Sequence, residues 1–163
     1  MIPKILHIIW IGDESRRPDQ LIDSWRMHHP GWQLRVWGNQ ELIDATWRCQ
    51  HRLRGLGERD CAAVADAMRW EILLEHGGVC VAADSVCLRP LDEALLDLQA
   101  FTCWENEVVV PGQLCAAYVG CEPGHPLIER MVQDIADDGD LASQSISDAV
   151  GSGRLTRTWR EIG

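Results

Sequence analysis

Apolar residues follow two kinds of pattern along this chain. Short apolar runs or strict alternation predict strands, and apolar residues spaced three or four apart predict helices. Residues 4–10 form a short apolar run and predict a buried strand, whereas residues 32–38 alternate and predict a second strand. Residues 59–78 carry mainly helix-forming side chains, with Asp60 as a candidate cap and the pair Gly77 and Gly78 as a candidate end. They predict the most clearly marked helix of the chain.

The rest of the pattern continues this alternation of strands and helices. Helices are predicted at residues 21–28, 39–47, 125–137 and, in part, 143–163, with a short one after Pro90; strands are predicted at 79–83, 86–88, 100–104 and 114–120. This order is typical of an α/β fold with a mainly parallel sheet flanked by helices. No linker or repeat interrupts it, so we expect one domain over residues 1–163.

Composition narrows the functional classes. No run of 18 apolar residues is present, so no membrane span is predicted, and the apolar N-terminus is interpreted as a strand and not a signal peptide. The net charge of -10 argues against stable nucleic-acid binding through phosphate neutralisation. The seven cysteines are odd in number and lack C-x-x-C or zinc spacing, which favours a reducing cytoplasm.

Three charged residues are candidates for chemistry. Asp66 and Arg69 stand three apart on the predicted long helix and therefore share one face. Asp84 follows a predicted strand, and ligands of α/β proteins collect at the carboxyl ends of strands. The alternatives are an ordinary ion pair on a solvated helix face for Asp66 and Arg69, and a simple turn residue for Asp84.

Two further segments offer contacts for a ligand. Trp10 ends the first strand and could stack on a base, although a core role is the commoner one for a single tryptophan. Glu105 and Asn106, in "CWENE", follow an apolar strand at a position that suits substrate contact, or else belong to a solvated turn. The G-x-x-x-x-G-K-[ST] and G-x-G-x-x-G phosphate-binding motifs are absent.

Three motifs, taken in order, resemble a known family. "IPKILHIIWIG", "AVADAMRWEILLEHGGVCVAADSVCLRPLD" and "AFTCWENEVVVPGQLCAAYVGCEPGHPL" together are similar to glycosyltransferase family 32, the sugar transferases with a DXD motif, and to the glucosylating domains of large clostridial toxins. The similarity covers residues 2–127 and continues weakly through "GSGRLT". None of the motifs is specific alone; their order and spacing are.

The resemblance implies a GT-A-like, Rossmann-type fold, compact or shortened at its C-terminus. It also implies a nucleotide-sugar donor such as a UDP- or GDP-sugar, a divalent cation (Mn²⁺ or Mg²⁺), and transfer with retention at the anomeric carbon. By position, Trp10 would stack on the base of the donor. Asp66 and Arg69, which match the family's SD-x-x-R pattern, would contact its ribose or sugar and its phosphates.

The other site residues follow from the same resemblance. Asp84 would be the second acid of the DXD motif and the metal ligand, with Ala83 beside it against the donor. Glu105 and Asn106 would lie near the sugar or the acceptor and, with Asp84, form the catalytic set. The acceptor could be a glycan, a lipid-linked sugar, a protein or modified DNA.

This chain departs from the family pattern at four places. Cys80 stands where the family has tyrosine, Ala82 where it has the first acid of the DXD motif, and Ala65 where it has the serine before Asp66. Residues 151–153 read "GSG" instead of "TGP". Three hypotheses therefore stay open: an active metal-dependent transferase, a catalytically weak relative that binds a nucleotide sugar or a partner, and an interaction module on the same fold.

Overall fold

The strands form one five-stranded sheet in the order β2-β1-β3-β5-β4. This computed structural model describes residues 1–57 and 60–162. The strands are β1 (Ile5–Ile9), β2 (Gln33–Trp37), β3 (Gly78–Val81), β4 (Ala100–Asn106) and β5 (Val110–Cys121). β1 lies between β2 and β3 and is parallel to both, whereas β5 is antiparallel to β3 and to β4.

Helices cover both faces of this sheet. They are α1 (Asp19–His28), α2 (Asn39–Asp44), α3 (Gln50–Gly57), α4 (Cys61–His76), α5 (Pro126–Asp137), α6 (Ile146–Ala149) and α7 (Ser152–Ile162), with short 3₁₀ turns at Glu14–Arg16, Glu93–Asp97 and Leu141–Ser143. The predicted α/β fold with flanking helices is thus confirmed. The sheet itself is mixed, because only the half built from β2, β1 and β3 is parallel.

The long helix begins and ends where the sequence predicts. The Asp60 carboxylate accepts from the Ala62 N–H at 2.8 Å and caps α4. Gly77 ends α4 with φ 62°, a left-handed conformation that disfavours other residues, and its N–H donates to the Leu73 carbonyl at 2.9 Å. Arg59, the first residue of the predicted segment, lies outside the described residues.

Each face of the sheet has its own core, because side chains alternate along a strand. On one face, β1, β3 and β5 pack against α3 to α7 through residues such as Ile9, Cys80 and Trp70. On the other face, Leu6, Ile8 and Val81 pack against α1 and its Trp25. No helix in the described part of the chain is long and apolar enough to cross a membrane.

Candidate functional site

A cavity of about 300 Å³ lies where β1 and β3 end side by side. Its wall holds Trp10, Asp66, Arg69, Ala83 and Asp84, together with Ala82 and the first residues of α4. β1, β3 and α4 therefore bring all five residues predicted to contact the donor to one place. This is the edge of the sheet at which parallel α/β proteins bind their ligands.

Asp66 and Arg69 form an ion pair within this wall and not on a solvated helix face. Arg69 is only 7% exposed, and its Nη1 donates to the Asp66 carboxylate. Burial opposes the charge of Arg69, but Asp66 outweighs it and keeps the arginine pKa above its ordinary value. Arg69 Nε is buried and has no hydrogen-bond partner in residues 1–57 and 60–162, so the protein does not satisfy every donor of this cation.

The Cys80 thiol lies against the same guanidinium, at the position where the family has tyrosine. Burial raises the pKa of this thiol, so Cys80 stays a neutral S–H at physiological pH. Asp66 is therefore the carboxylate that balances the charge of Arg69.

Trp10 is half-buried and held at its edge. Its indole N–H donates to the Asp13 carbonyl at 3.0 Å, and its backbone N–H donates to the Trp37 carbonyl at 2.9 Å. Gly12, with φ 115°, lets the chain pass close to α4, because a Cβ there would stand 3.3 Å from Cys61 Sγ. The ring thus belongs partly to the core and partly to the cavity wall, and its contact with a base stays a prediction.

Asp84 is exposed at the rim, in the loop of residues 82–92 between β3 and the 3₁₀ turn that begins at Glu93. Its carboxylate makes no hydrogen bond or ion pair with any described residue, whereas Ala83 beside it is buried. Ala82 lines the cavity, so the missing acid of the motif leaves a methyl group facing the site. Asp84 is the carboxylate in this wall that is not already paired.

Glu105 and Asn106 do not line this cavity. The Glu105 carboxylate accepts from the Ser152 hydroxyl at 2.5 Å and links β4 to the start of α7. Asn106 Oδ1 accepts from the N–H groups of Val108 and Val109, both at 3.0 Å, which is the turn role that the sequence left open. Because β4 and β3 both run antiparallel to β5, Glu105 lies at the same end of the sheet as Asp84. Its predicted contact with sugar or acceptor stays a prediction.

Sequence reasoning missed the start of α7 as part of the site. A Cβ on Gly151 would stand 3.4 Å from Asp66 Oδ2 and 3.1 Å from the Ser147 Cα. The signal in the sequence is the run of small residues "GSG" at positions 151–153. A small residue at position 151 lets α7 close against the Asp66 carboxylate.

A larger cavity of about 790 Å³ lies between β4 and the helices α5 and α7. Its wall is mainly apolar and includes Trp104 and Trp159, but none of the residues predicted to contact a donor. A diphosphate needs cations and polar groups, so the smaller cavity with Arg69 and Asp84 is the better candidate for it.

The side chains of the smaller cavity can bind a cation only if a ligand such as a diphosphate supplies further oxygen atoms. Among the described residues, no three His, Cys, Asp or Glu side chains are grouped closely enough to hold a metal ion. Asp66 is already paired with Arg69, so Asp84 is the carboxylate of this wall that remains to bind a cation. Mg²⁺-like ions are held by one or two carboxylates with phosphates and water, so the residues fit a cation shared with a diphosphate but not one held by the protein alone.

The fold and the site define a sugar-transferase-like α/β protein, and the comparisons agree. A family described as "Glycosyltransferase sugar-binding region containing DXD motif" matches residues 15–102, more than half of the chain. The chain belongs to this glycosyltransferase family.

Two relatives of this chain are longer proteins. It is 26% identical over 145 residues to "Uncharacterized glycosyltransferase L373" of Acanthamoeba polyphaga mimivirus, covering 83% of this chain and 56% of that protein. It is 19% identical over 160 residues to "Subversion of eukaryotic traffic protein A" of Legionella pneumophila (strain Philadelphia 1). This alignment covers 82% of this chain and 25% of that protein. The chain thus spans between a quarter and somewhat more than half of these relatives.

A solved structure, "PaToxG Glycosyltransferase", superposes with a TM-score of 0.77 at 13% sequence identity. The superposition covers 99% of this chain and 69% of that one. At this identity the similarity establishes the fold alone, and it agrees with the predicted α/β fold.

Proposed function

We propose that this protein transfers a sugar from a UDP- or GDP-sugar to an acceptor hydroxyl, with a divalent cation and with retention at the anomeric carbon. One observation carries the proposal: Trp10 from the first of the three motifs and Asp66, Arg69, Ala83 and Asp84 from the second line one cavity. That cavity offers an aromatic ring, a buried cation and a carboxylate, the groups that suit a nucleoside diphosphate.

Each side chain has a role that its surroundings support. The half-buried indole of Trp10 presents a flat apolar surface to a base. Asp66 can accept from a ribose or sugar hydroxyl with the oxygen that Arg69 does not occupy. Arg69, which lines the cavity and has a donor that the protein leaves unpartnered, can donate to a phosphate oxygen.

Asp84 would hold the cation jointly with the diphosphate, since its exposed carboxylate has no partner among the described residues. A cation in that place would neutralise the charge that develops on the leaving diphosphate. Glu105, at the same end of the sheet, is the proposed carboxylate nearer the acceptor. The proposed acceptor is a glycan, a lipid-linked sugar, a protein or modified DNA. Seven unpaired thiols suit the proposed cytoplasmic location.

A second candidate is nucleotide-sugar binding with little or no transfer. Ala82 favours it, because the cavity wall carries a methyl group where the family has a carboxylate. The two candidates share the binding step and differ in turnover.

Calorimetry with UDP, GDP and their sugars, with and without MnCl₂, tests the shared step, and NMR of the released sugar tests turnover. We expect manganese-dependent binding with slow donor hydrolysis and initial release of the sugar with unchanged anomeric configuration. Binding without hydrolysis would support the second candidate, and absence of binding to both nucleotides would refute both.

Asp84→Ala tests the metal assignment, with Glu75→Ala as the matched control. Both carboxylates are exposed, but Glu75 lies at the far end of α4 from the cavity. We expect Asp84→Ala to abolish the manganese dependence and Glu75→Ala to leave it unchanged. An unaltered manganese affinity in Asp84→Ala would show that this carboxylate does not bind the cation.

A further inference from the structure

The loop that carries Asp84, residues 82–92, has no helix or strand of its own. An irregular backbone segment has to find hydrogen-bond partners outside itself, and the position of its side chains is only as fixed as those partners are. α1 and the residue that follows it supply such partners through three side chains that are each less than 8% exposed: Ser24 and Trp25 in α1, and His29 at its C-cap.

Trp25 forms hydrogen bonds with Ser85, the residue that follows Asp84. Its indole N–H lies 3.1 Å from the Ser85 carbonyl and 3.2 Å from the Ser85 hydroxyl, and it donates to both. The Ser85 hydroxyl in turn donates to the Ala82 carbonyl at 2.6 Å. The turn that presents Asp84 is therefore closed by Ser85 and fastened to α1 by one indole N–H.

Ser24 and His29 hold the rest of the loop. The Cys87 N–H donates to Ser24 Oγ at 2.8 Å, and Ser24 Oγ donates to the Leu21 carbonyl at 2.5 Å. The Leu91 N–H donates to His29 Nε2 at 3.0 Å, while His29 Nδ1 lies 2.9 Å from the Trp25 carbonyl. Both side chains are thus themselves bonded to the backbone of α1, which makes the contact with the loop rigid.

From this arrangement we infer that Ser24, Trp25 and His29 are positioning residues for Asp84. The inference depends on the proposed function. A site with two carboxylates on the metal tolerates some movement of one of them. Here position 82 is alanine, so the motif supplies no second carboxylate beside Asp84 to hold the cation. The single carboxylate has to be in place before the ligand arrives, because ordering the loop on binding would subtract from the affinity.

Trp25→Phe tests this inference, with Trp47→Phe as the control. Both tryptophans are 6% exposed, and each indole donates to backbone carbonyl oxygen, Trp47 to Leu42 at 3.0 Å. Phenylalanine keeps an aromatic ring in place and removes the N–H. The first readout is amide hydrogen exchange of residues 85–91 in the unliganded protein, and the second is the affinity for UDP and GDP with manganese.

We expect faster exchange in this loop and about fivefold weaker nucleotide binding in Trp25→Phe, the effect of one lost hydrogen bond, with neither change in Trp47→Phe. Unchanged exchange in Trp25→Phe would overturn the inference. So would faster exchange combined with nucleotide affinities that are equal in the two variants. If the wild type binds neither nucleotide, the proposed function fails, and the exchange data still decide whether α1 holds the loop.

Discussion

Acidification from pH 7 to pH 4 should destabilise this protein through His7, a fully buried residue of β1. His7 Nε2 lies 2.9 Å from the Gly77 carbonyl, and the Trp37 indole N–H donates to His7 Nδ1 at 3.1 Å. Only the neutral ring with its proton on Nε2 satisfies both partners. A second proton would sit on Nδ1 and face the Trp37 N–H.

The size of the effect follows from the pKa. Burial lowers the pKa of His7 from 6.5 to about 4; the Gly77 carbonyl opposes this shift, and the neighbouring His76 and Arg35 add to it. The unfolded chain therefore binds a proton at a higher pH than the folded protein does. The contribution of neutral His7 to the free energy of unfolding is fully present above pH 6.5 and is lost as the pH falls. The loss is about 2 kcal/mol at pH 5 and about 3 kcal/mol at pH 4.

Urea denaturation at pH 7, 6, 5 and 4 measures this loss, with His7→Gln as the reference. Glutamine is neutral throughout, so the pH-dependent part of the free energy of unfolding that disappears in this variant belongs to His7. An NMR titration of the His7 ring gives the folded pKa independently. A ring that titrates near 6.5, or equal pH dependence in the two proteins, would refute the reasoning.

Three further predictions concern the cavity. Ala82→Asp should raise manganese affinity in the presence of UDP or GDP by about tenfold, because it restores a second carboxylate; calorimetry that shows no gain would mean that position 82 does not face the cation. Gly151→Val should weaken nucleotide binding about tenfold by displacing Asp66, whereas Gly139→Val, where a Cβ meets nothing within 4 Å, should not; equal affinities would contradict the contact between α7 and Asp66. Arg69→Met should lower the free energy of unfolding in urea by about 2 kcal/mol, since it leaves a largely buried carboxylate without its partner; a change below about 0.5 kcal/mol would contradict the burial of this pair.

The sequence predicts most of this fold because local signals and packing agree. Asp60 and Gly77 mark the ends of α4, and both fulfil their expected roles. α3 was not predicted, because its two glycines, at positions 55 and 57, weaken the local helix signal and its stability comes from packing of Leu53 and Leu56 against the core.

The loop after β3 was wrongly predicted as a strand at residues 86–88. Its apolar residues suggest a strand, but Val86 and Leu88 are exposed and only Cys87 is buried. The partners of its backbone are side chains of α1, about 60 residues earlier, which no local pattern reveals. For the site, the rule that ligands bind where parallel strands end predicts a ligand beside Asp84; Asp84 and Trp10 line one cavity there, and their contact with a ligand stays a prediction.

The most direct test of the account is a crystal structure with manganese and a UDP- or GDP-sugar. We predict density for the nucleotide in the cavity between Trp10 and Asp84, with a diphosphate oxygen within hydrogen-bonding distance of Arg69 and the cation beside Asp84. Density in the larger cavity along β4, or a nucleotide that contacts neither Trp10 nor Arg69, would contradict it.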